Sequence, residues 1–152
     1  MSGFESLGVP PFVCRTLKKM GYVGPTPVQK AVIPIGLQGV DLVAMARTGS
    51  GKTAAFLVPI VARLESHSSL VGARAVILAP TRELALQTSQ FGELIAGLCD
   101  LRLVSIVGGG SMAKQFEMLA TNPDIIVATP GRLVHHRVEA DLCLKSVLVL
   151  VF

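Results

Sequence analysis

Short β-branched runs alternate with longer helical stretches through most of this chain, and no other feature constrains its fold as strongly. The strand candidates are residues 41–46, 73–79, 101–107, 125–128 and 147–152. The helix candidates are residues 10–20, 27–37, 52–65, 82–98, 112–120 and 131–136. Repeated βα units predict an α/β domain with a mostly parallel sheet and helices on both faces. Residues 75–78 and 125–127 lack polar alternation, which predicts central strands, and residues 147–152 predict a buried parallel strand.

The composition fits one compact domain with a large core. Of the 152 residues, 51% are hydrophobic and 16% are charged, which excludes a disordered, solvated chain. The net charge of +4 is compatible with a polyanionic partner and diagnostic of none. An apolar run without a charge, residues 53–62, is far shorter than the roughly 18 residues of a membrane span. The three scattered cysteines form no C-x-x-C pair, which indicates a reducing intracellular compartment and neither a disulfide framework nor a zinc site.

The sharpest local motif lies between a strand candidate and a helix candidate. Gly49 and Gly51 allow backbone conformations that aim several N–H groups at one point, and the following helix start adds its positive end. Lys52 can reach the β and γ phosphates of a nucleotide, and Thr53 can offer a hydroxyl to Mg²⁺. The alternative is a glycine-rich turn followed by a solvated helix start. The predicted phosphate-binding residues are Arg47, Thr48, Gly49, Ser50, Gly51, Lys52 and Thr53.

A second element, residues 21–29, precedes this loop and suits the recognition of a base. Two prolines shape a turn that places Gln29 near a helix start. A side-chain amide carries a donor and an acceptor together, which matches the N6 and N7 edge of adenine and mismatches O6 of guanine. Tyr22 or Phe4 can stack on a base face. Packing of both rings within the N-terminal segment is the alternative, and the residues alone favour it.

Taken together, these segments resemble the DEAD-box family of ATP-dependent RNA helicases, and the resemblance runs from Phe4 to Phe152. Five segments are similar to the family's motifs and stand in the family's order: residues 25–29 (Q motif), 46–53 (motif I), 80–85 (motif Ia), 109–110 (GG doublet) and 129–132 (motif Ib). Ala46 replaces the first glycine of motif I. The resemblance implies a RecA-like first lobe that binds ATP or ADP, with Tyr22 and Gln29 at the base.

The resemblance also implies roles for further residues. Lys52 and Thr53 are implied to be catalytic, with Thr53 as a ligand of Mg²⁺. The residues implied to hold the RNA backbone are Pro80, Thr81, Arg82, Gly109, Gly110, Thr129, Gly131 and Arg132. Their segments follow strand candidates, so helix-start N–H groups and arginines meet at the carboxyl edge of the sheet. From the residues alone, an ion pair of Arg82 with Glu83 and a solvated Arg132 are the alternatives.

By the same resemblance, the parent protein couples ATP binding and hydrolysis to RNA unwinding or remodelling. The family's Asp-Glu-Ala-Asp and Ser-Ala-Thr motifs and its second RecA-like lobe are not among these 152 residues. We expect one partial domain, with a Q-motif region at residues 1–37 and a RecA-like core at residues 38–152. It is expected to bind nucleotide, to hydrolyse scarcely any, and to have the second lobe as a partner. Another P-loop NTPase, or a nucleotide- or RNA-binding module without catalysis, is the alternative.

Finer similarity points to a branch of the family that acts in the nucleolus on the large ribosomal subunit. It is carried by residues 43–47, 72–75, 122–126 and 132–136. This implies a nuclear, nucleolar location and pre-ribosomal protein partners, without membrane association. His135 and His136 are adjacent, so their side chains point apart on a helix, and no third ligand is near. They are therefore predicted to face the surface rather than to bind a metal.

Overall fold

The computed structural model describes residues 3–152, and contacts divide the chain into two compact units, Met1–Glu65 and Ser66–Phe152. The first unit contains a 3₁₀ turn (Glu5–Leu7), α1 (Pro11–Lys19), α2 (Pro27–Leu37) and α3 (Lys52–Leu64). The second contains β1 (Ala75–Leu78), α4 (Arg82–Gly97), β2 (Leu103–Ile106), α5 (Met112–Ala120), β3 (Ile125–Ala128), α6 (Pro130–Glu139) and β4 (Val149–Val151). The predicted domain organisation, with its boundary at residues 37 and 38, stays a prediction.

The second unit is built on a parallel sheet in the order β2-β3-β1-β4. β1 pairs with β3 and β4, and β2 pairs with β3, all in parallel. The inner strands are β1 and β3, as the apolar runs predicted, and every residue of β3 is buried. One buried apolar cluster of this unit contains Ala73, Val76, Val104, Ile106, Ile126, Ala128 and Leu133. The predicted α/β class with a parallel sheet is confirmed.

This topology brings three loops to one place. Parallel strands joined by crossover helices have all their carboxyl ends at the same edge of the sheet. The segments that follow β1, β2 and β3 begin at residues 79, 107 and 129. These loops carry the residues that the sequence assigned to RNA.

Local sequence determines where the helices begin. Thr26 caps α2 in a capping box: its hydroxyl accepts from the N–H of Gln29, and its own N–H donates to Oε1 of Gln29 at 2.9 Å. Thr81 caps α4 and Ser111 caps α5 by the same side-chain acceptance. Each cap satisfies an N–H that a helix start leaves without a partner, which contributes about 1 kcal/mol.

The first strand prediction is wrong. Residues 41–46 pair with no strand in the part of the chain that the structure describes, and Val43 and Met45 are 95% and 94% exposed. A strand is stable only when a neighbour satisfies its backbone N–H and C=O groups, and an apolar pattern does not reveal whether that neighbour exists. An irregular segment therefore leads into the glycine-rich loop.

The last strand is parallel, as predicted, but it is not buried. β4 pairs only with β1 and lies at one edge of the sheet described here. Leu148, Leu150 and Phe152 are 60%, 54% and 94% exposed. An apolar run predicts a strand with two covered faces, whereas burial depends on which elements pack against those faces. The prediction of burial therefore fails although the pairing is right.

Asp124, just before β3, joins three segments of the second unit. Its Oδ1 accepts from the N–H of Ser68 at 3.1 Å and from Nη2 of Arg74 at 2.6 Å. Its Oδ2 accepts from the N–H of Arg102 at 2.9 Å and lies 2.8 Å from Nδ1 of His67. Burial raises the pKa of Asp124, but these donors outweigh it and hold the pKa below the ordinary value of 3.8. A buried, ionised carboxylate thus ties β3 to the segments before β1 and β2.

Candidate functional site

Two glycines of the glycine-rich loop in the first unit adopt left-handed backbone conformations, as the sequence predicted for them. Gly49 and Gly51 adopt φ of +77° and +91°, a region that side chains disfavour, and Gly51 is the N-cap of α3. A Cβ on Gly51 would also lie only 2.5 Å from Nε2 of Gln29. Glycine is therefore needed at residue 51 both for its backbone conformation and for the space beside Gln29.

Lys52, at the first position of α3, turns back onto this loop. Its Nζ donates to the carbonyl of Ala46 and, at 2.9 Å, to that of Arg47. Within residues 3–152 no carboxylate pairs with it. Oγ of Ser50 is buried and has no hydrogen-bond partner within the same range. An ammonium that donates to neutral carbonyls in the described chain can exchange them for an anion.

A cleft of about 710 Å³ lies between the start of α2 and the loop within the first unit. Its lining includes Thr26, Val28, Met45, Arg47, Gly49 and Ser50. The volume is within the range of about 300–1,000 Å³ that is usual for small-molecule sites. The lining does not include Lys52, Thr53 or the two residues that the sequence assigned to the base, Tyr22 and Gln29.

Gln29, which the sequence assigned to adenine, is 1% exposed. Its Oε1 accepts from the N–H of Thr26, and its Nε2 donates to the carbonyl of Gly51 at 3.1 Å. Thr26 makes a second link, because its hydroxyl donates to the carbonyl of Ser50 at 2.8 Å. Gln29 and Thr26 therefore connect the start of α2 to the phosphate loop. The Thr-x-x-Gln spacing of a capping box was the sequence signal for part of this arrangement.

The two aromatic rings near the N-terminus contact each other. The ring centroids of Phe4 and Tyr22 lie 6.0 Å apart with an interplanar angle of 74°. Phe4 is 1% exposed, and burial raises the pKa of Tyr22. Phe4 therefore packs in the N-terminal segment, as the residues alone favoured, whereas Tyr22 is partly buried.

Three loops converge on residues 108–110 at the carboxyl edge of the sheet. Nη1 of Arg82, after β1, donates to the carbonyl of Gly108 at 2.8 Å. Nη1 of Arg132, in the first turn of α6, donates to the carbonyl of Gly110 at 3.1 Å. The hydroxyl of Thr129 accepts from the N–H of Gly108 at 3.4 Å. Arg82 thus forms no ion pair with Glu83 in the described chain, and Arg132 is partly buried rather than solvated.

This edge presents donors to solvent. The exposed members of the predicted set are Pro80, Thr81, Arg82, Gly109 and Gly131. Gly109 has φ of +78° and packs against the guanidinium of Arg82. Thr129 is the N-cap residue of α6 but makes no side-chain cap, so the first N–H groups of that helix keep their capacity to bind an anion.

Two residues of this region were missed from the sequence. His136 is 0% exposed, so the prediction of a surface-facing histidine pair is wrong for it, although His135 is half exposed. Its Nε2 lies 2.8 Å from Oε1 of Gln115, which is also buried. The sequence pattern placed His136 only relative to its neighbours on α6, whereas its burial depends on α5. No sequence signal pointed to Gln115.

Within residues 3–152, no group of three or more His, Cys, Asp or Glu side chains could hold a metal ion. A Mg²⁺ ion at the phosphate loop does not need one, because it keeps several waters and takes phosphate oxygens beside one or two protein ligands. Thr53 is partly buried in the first turn of α3, and its role as a Mg²⁺ ligand stays a prediction. In the same described range, no helix combines the length and apolarity that crossing a membrane requires.

A parallel α/β fold with a glycine-rich loop that opens a helix on Lys52 is typical of P-loop nucleotide-binding domains. A sequence model of the DEAD/DEAH box helicase family matches residues 26–152, and the chain belongs to that family. It is 55% identical over 151 residues to DEAD-box ATP-dependent RNA helicase 29 of Oryza sativa subsp. indica. It is 52% identical over 149 residues to ATP-dependent RNA helicase DBP10 of Saccharomyces cerevisiae strain YJM789.

These alignments cover 99% and 98% of this chain but 18% and 15% of the relatives, so the chain spans less than a fifth of their length. Among solved structures, the RNA-helicase Prp28 from Chaetomium thermophilum bound to ADP gives a TM-score of 0.89 at 42% identity. The match covers 99% of this chain and 37% of that one. A hypothetical ATP-dependent RNA helicase from Sulfolobus tokodaii gives 0.80 at 34% identity, covering 91% and 39%. The predicted RecA-like fold and DEAD-box membership are confirmed.

Proposed function

We propose that this chain is the ATP-binding lobe of an ATP-dependent RNA helicase, whose whole protein couples ATP binding and hydrolysis to unwinding or remodelling of RNA. The observation that carries the proposal is the glycine-rich loop, in which Lys52 donates to the carbonyls of Ala46 and Arg47 and, among residues 3–152, pairs with no carboxylate. A nucleotide phosphate offers that ammonium a charged partner in place of two neutral ones. The structural neighbour Prp28 was solved with ADP bound, which supports the same ligand here.

In the proposed complex, Gly49 and Gly51 aim backbone N–H groups at the phosphates, and Lys52 donates to the β phosphate. Thr53 would hold Mg²⁺ through its hydroxyl, and the ion would supply charge neutralisation at the phosphates. Lys52 and Thr53 are thus the residues of this chain proposed for catalysis. Arg47, Thr48 and Ser50 would complete the wall of the loop.

Adenine recognition is proposed for Gln29. A glutamine amide has two acceptor positions and two N–H donors, and contacts with Thr26 and Gly51 use one of each. The remaining pair matches N6–H and N7 of adenine. Because Gln29 is buried, adenine can reach that pair only when the groups that cover it move aside. Tyr22 is proposed to pack against the base.

Replacing Gln29 by alanine tests this assignment. We expect the unsubstituted chain to prefer ADP over GDP by about tenfold or more, because guanine leaves the amide mispaired. Gln29→Ala is expected to reduce that preference to within about twofold. Calorimetric titration with both nucleotides in the presence of Mg²⁺ measures it, with Gln38→Ala, an exposed glutamine at the end of α2, as the matched control.

The two possible roles of Gln29 give different results in this titration. If Gln29 only supports the loop through Gly51, ADP and GDP weaken by the same factor and the preference survives. That result would contradict base recognition and favour another P-loop NTPase. If the unsubstituted chain already binds ADP and GDP equally, base recognition by Gln29 is contradicted as well.

RNA binding is proposed for the edge where residues 108–110 meet Arg82 and Arg132. Both guanidinium groups donate to loop carbonyls, which phosphate oxygens can replace as charged acceptors. Thr81, Thr129 and the helix starts that follow them add neutral donors. Contacts of this kind bind sugar and phosphate, so little sequence preference is expected.

Removal of either guanidinium is expected to weaken RNA binding. Arg82→Ala and Arg132→Ala should each raise the Kd for fluorescein-labelled decauridine about tenfold and reduce the salt slope by about one. Fluorescence anisotropy over a range of salt concentrations measures both quantities. The matched control is Arg137→Ala on α6, whose side chain is half exposed and pairs with Asp141. Equal weakening by all three substitutions would indicate net charge alone and contradict this site.

The partners and location follow from the same assignment. The second RecA-like lobe of the whole protein would complete the nucleotide and RNA sites. Two matched relatives are named RNA helicases, one of them DBP10, and the sequence resemblance to the nucleolar branch supports a role in ribosome assembly with pre-ribosomal proteins. A tagged whole protein that is excluded from nucleoli in growing cells would contradict this part.

A further inference from the structure

A buried polar cluster lies directly under the loop of residues 108–110, and the proposed chemistry does not use it. Gln115 of α5 is 5% exposed and His136 of α6 is 0% exposed. Nε2 of Gln115 donates to the carbonyl of Val107 at 2.9 Å, and its Oε1 lies 2.8 Å from Nε2 of His136. The same Oε1 lies 3.4 Å from Nη1 of Arg132. One amide therefore contacts the end of β2 and two groups of α6.

The directions of these hydrogen bonds determine one another. Because Nε2 of Gln115 donates to a carbonyl, its Oε1 is an acceptor, and Nε2 of His136 must carry the proton. Burial lowers the pKa of His136, and the charges of Arg132 and His135 lower it further. The imidazole is therefore neutral and has a single N–H. A reversed amide would face the Val107 carbonyl with its own oxygen, so only one arrangement satisfies the cluster.

His136 is more polar than its packing requires. Its Nδ1 is buried and has no hydrogen-bond partner in the part of the chain described here. Its ring makes an edge-on contact with Phe116, with centroids 4.9 Å apart. A phenylalanine would keep that contact without burying a nitrogen that has no partner. The hydrogen bond to Gln115 is what an apolar ring could not provide.

The cluster also sets the position of the residues above it. Arg132 is held between Oε1 of Gln115 and the carbonyl of Gly110. A Cβ on Gly110 would lie 2.9 Å from Nε2 of Gln115, so the loop backbone rests on the amide. Rotation of this amide would move both the Arg132 guanidinium and the Gly110 carbonyl.

We propose that Gln115 is a positioning residue for RNA binding, oriented by His136, which holds the Arg132 guanidinium and the loop of residues 108–110 in the arrangement that receives a phosphate. This rests on the proposed RNA function. Neither residue contacts RNA in the proposal. They keep the Gln115 amide in one orientation, so that the Arg132 guanidinium is already oriented when a phosphate binds.

Decauridine binding to variants of the 152-residue chain tests the proposal. Gln115→Leu and His136→Phe keep the side-chain volume and remove the hydrogen bonds between residues 115 and 136. Each is expected to raise the Kd for RNA about tenfold, because the hydrogen bond from the Arg132 guanidinium to a phosphate is then poorly oriented. His136→Gln can present an N–H near the position of Nε2 and is expected to bind within about threefold of the unsubstituted chain. Gln90→Leu and His135→Phe are the matched controls, since both side chains are exposed.

A double substitution separates positioning from a general loss of structure. In the Arg132→Ala background, Gln115→Leu is expected to raise the Kd by less than about threefold, because most of its effect on binding passes through Arg132. A further tenfold loss would overturn the proposal. So would wild-type binding by both Gln115→Leu and His136→Phe while Arg132→Ala binds weakly, and the RNA function would then stand. Wild-type binding by Arg82→Ala and Arg132→Ala would instead defeat the RNA function itself.

The tautomer of His136 gives a test that needs no substitution. The nitrogen chemical shifts of its ring, measured by NMR at neutral pH, are expected to show a proton on Nε2 and none on Nδ1. A proton on Nδ1 would mean that the amide of Gln115 is reversed, and the proposal would fail even if the variants did not fold.

Discussion

Lys52→Ala is expected to weaken ADP binding about 100-fold, because the substitution removes the ammonium that is proposed to donate to the β phosphate. A hydrogen bond between a charged donor and a phosphate contributes about 1.5–3 kcal/mol, and 100-fold in Kd corresponds to about 2.7 kcal/mol. Among the described residues, the hydrogen bonds that the substitution removes are those from Nζ of Lys52 to the carbonyls of Ala46 and Arg47. Isothermal titration calorimetry with ADP and Mg²⁺ measures the effect.

The comparison of ADP with AMP makes this prediction specific. Lys52 is expected to contact the β phosphate, which AMP lacks, so Lys52→Ala should leave AMP binding within about threefold and bring ADP to the same level. Lys30→Ala is the matched control, since it removes an exposed lysine from α2 of the same unit. ADP binding that survives Lys52→Ala, or that falls equally in Lys30→Ala, would show that the loop does not bind phosphate through this residue.

Asp124→Asn is expected to have the largest effect on stability in the second unit. The substitution removes the charge that pairs with Arg74. It also places an amide N–H group opposite backbone N–H groups that donate to the carboxylate in the unsubstituted chain. Removing one partner of a buried, hydrogen-bonded ion pair lowers the free energy of unfolding by about 3 kcal/mol. This corresponds to a decrease of about 6–12 °C in the midpoint of thermal unfolding. Thermal and urea unfolding followed by circular dichroism measure the change.

The surface offers a matched control for this substitution. Asp141 pairs with Arg137 at 2.7 Å, but its side chain is 96% exposed. Exposed ion pairs contribute little, so Asp141→Asn is expected to cost less than about 0.5 kcal/mol. Equal losses from the two substitutions would contradict the role given to burial and to the four donors around Asp124.

The same carboxylate gives stability a pH dependence of defined sign. The native pKa of Asp124 lies below its ordinary value of 3.8, so in acid the unfolded chain binds more protons than the folded one. The contribution of the Asp124 carboxylate to the free energy of unfolding is complete above about pH 5. It is lost as the pH falls through the native pKa of Asp124. Urea unfolding measures the free energy of unfolding of the wild type and of Asp124→Asn. The difference between the two values should therefore become smaller as the pH is lowered from about 5 to about 3. A gap independent of pH would contradict the assignment.

Much of the fold and of the phosphate site was predictable because it depends on short stretches of chain. The helices at residues 27–37 and 112–120 and the strand at residues 125–128 have the predicted bounds. The glycines at residues 49 and 51 were expected to take unusual backbone conformations, and both do. Periodicity, caps and glycine positions act within a few residues, so the sequence reveals them directly.

Predictions failed where a residue's state depends on a distant segment. Residues 41–46 have the apolar pattern of a strand but find no strand partner in the described chain. His136 was placed on the surface from its neighbours on α6, yet Gln115 of α5 and the ring of Phe116 cover it. The contacts of the Gln29 amide with the N–H of Thr26 and the carbonyl of Gly51 were not expected either, and its assignment to adenine stays a prediction.

The sequence by itself determined the alternation of strands and helices, the glycine-rich loop before α3, and the order of motifs that identifies the family. The tertiary structure alone decided which strands pair, that Asp124 collects four donors, and that Gln115 and His136 lie beneath the loop of residues 108–110. The physical reason is distance along the chain. A local pattern records the conformational preference of neighbouring residues. Pairing and burial instead depend on segments that are more distant along the chain, as in the 57-residue separation of His67 and Asp124 or the pairing of Ala75 with Val149.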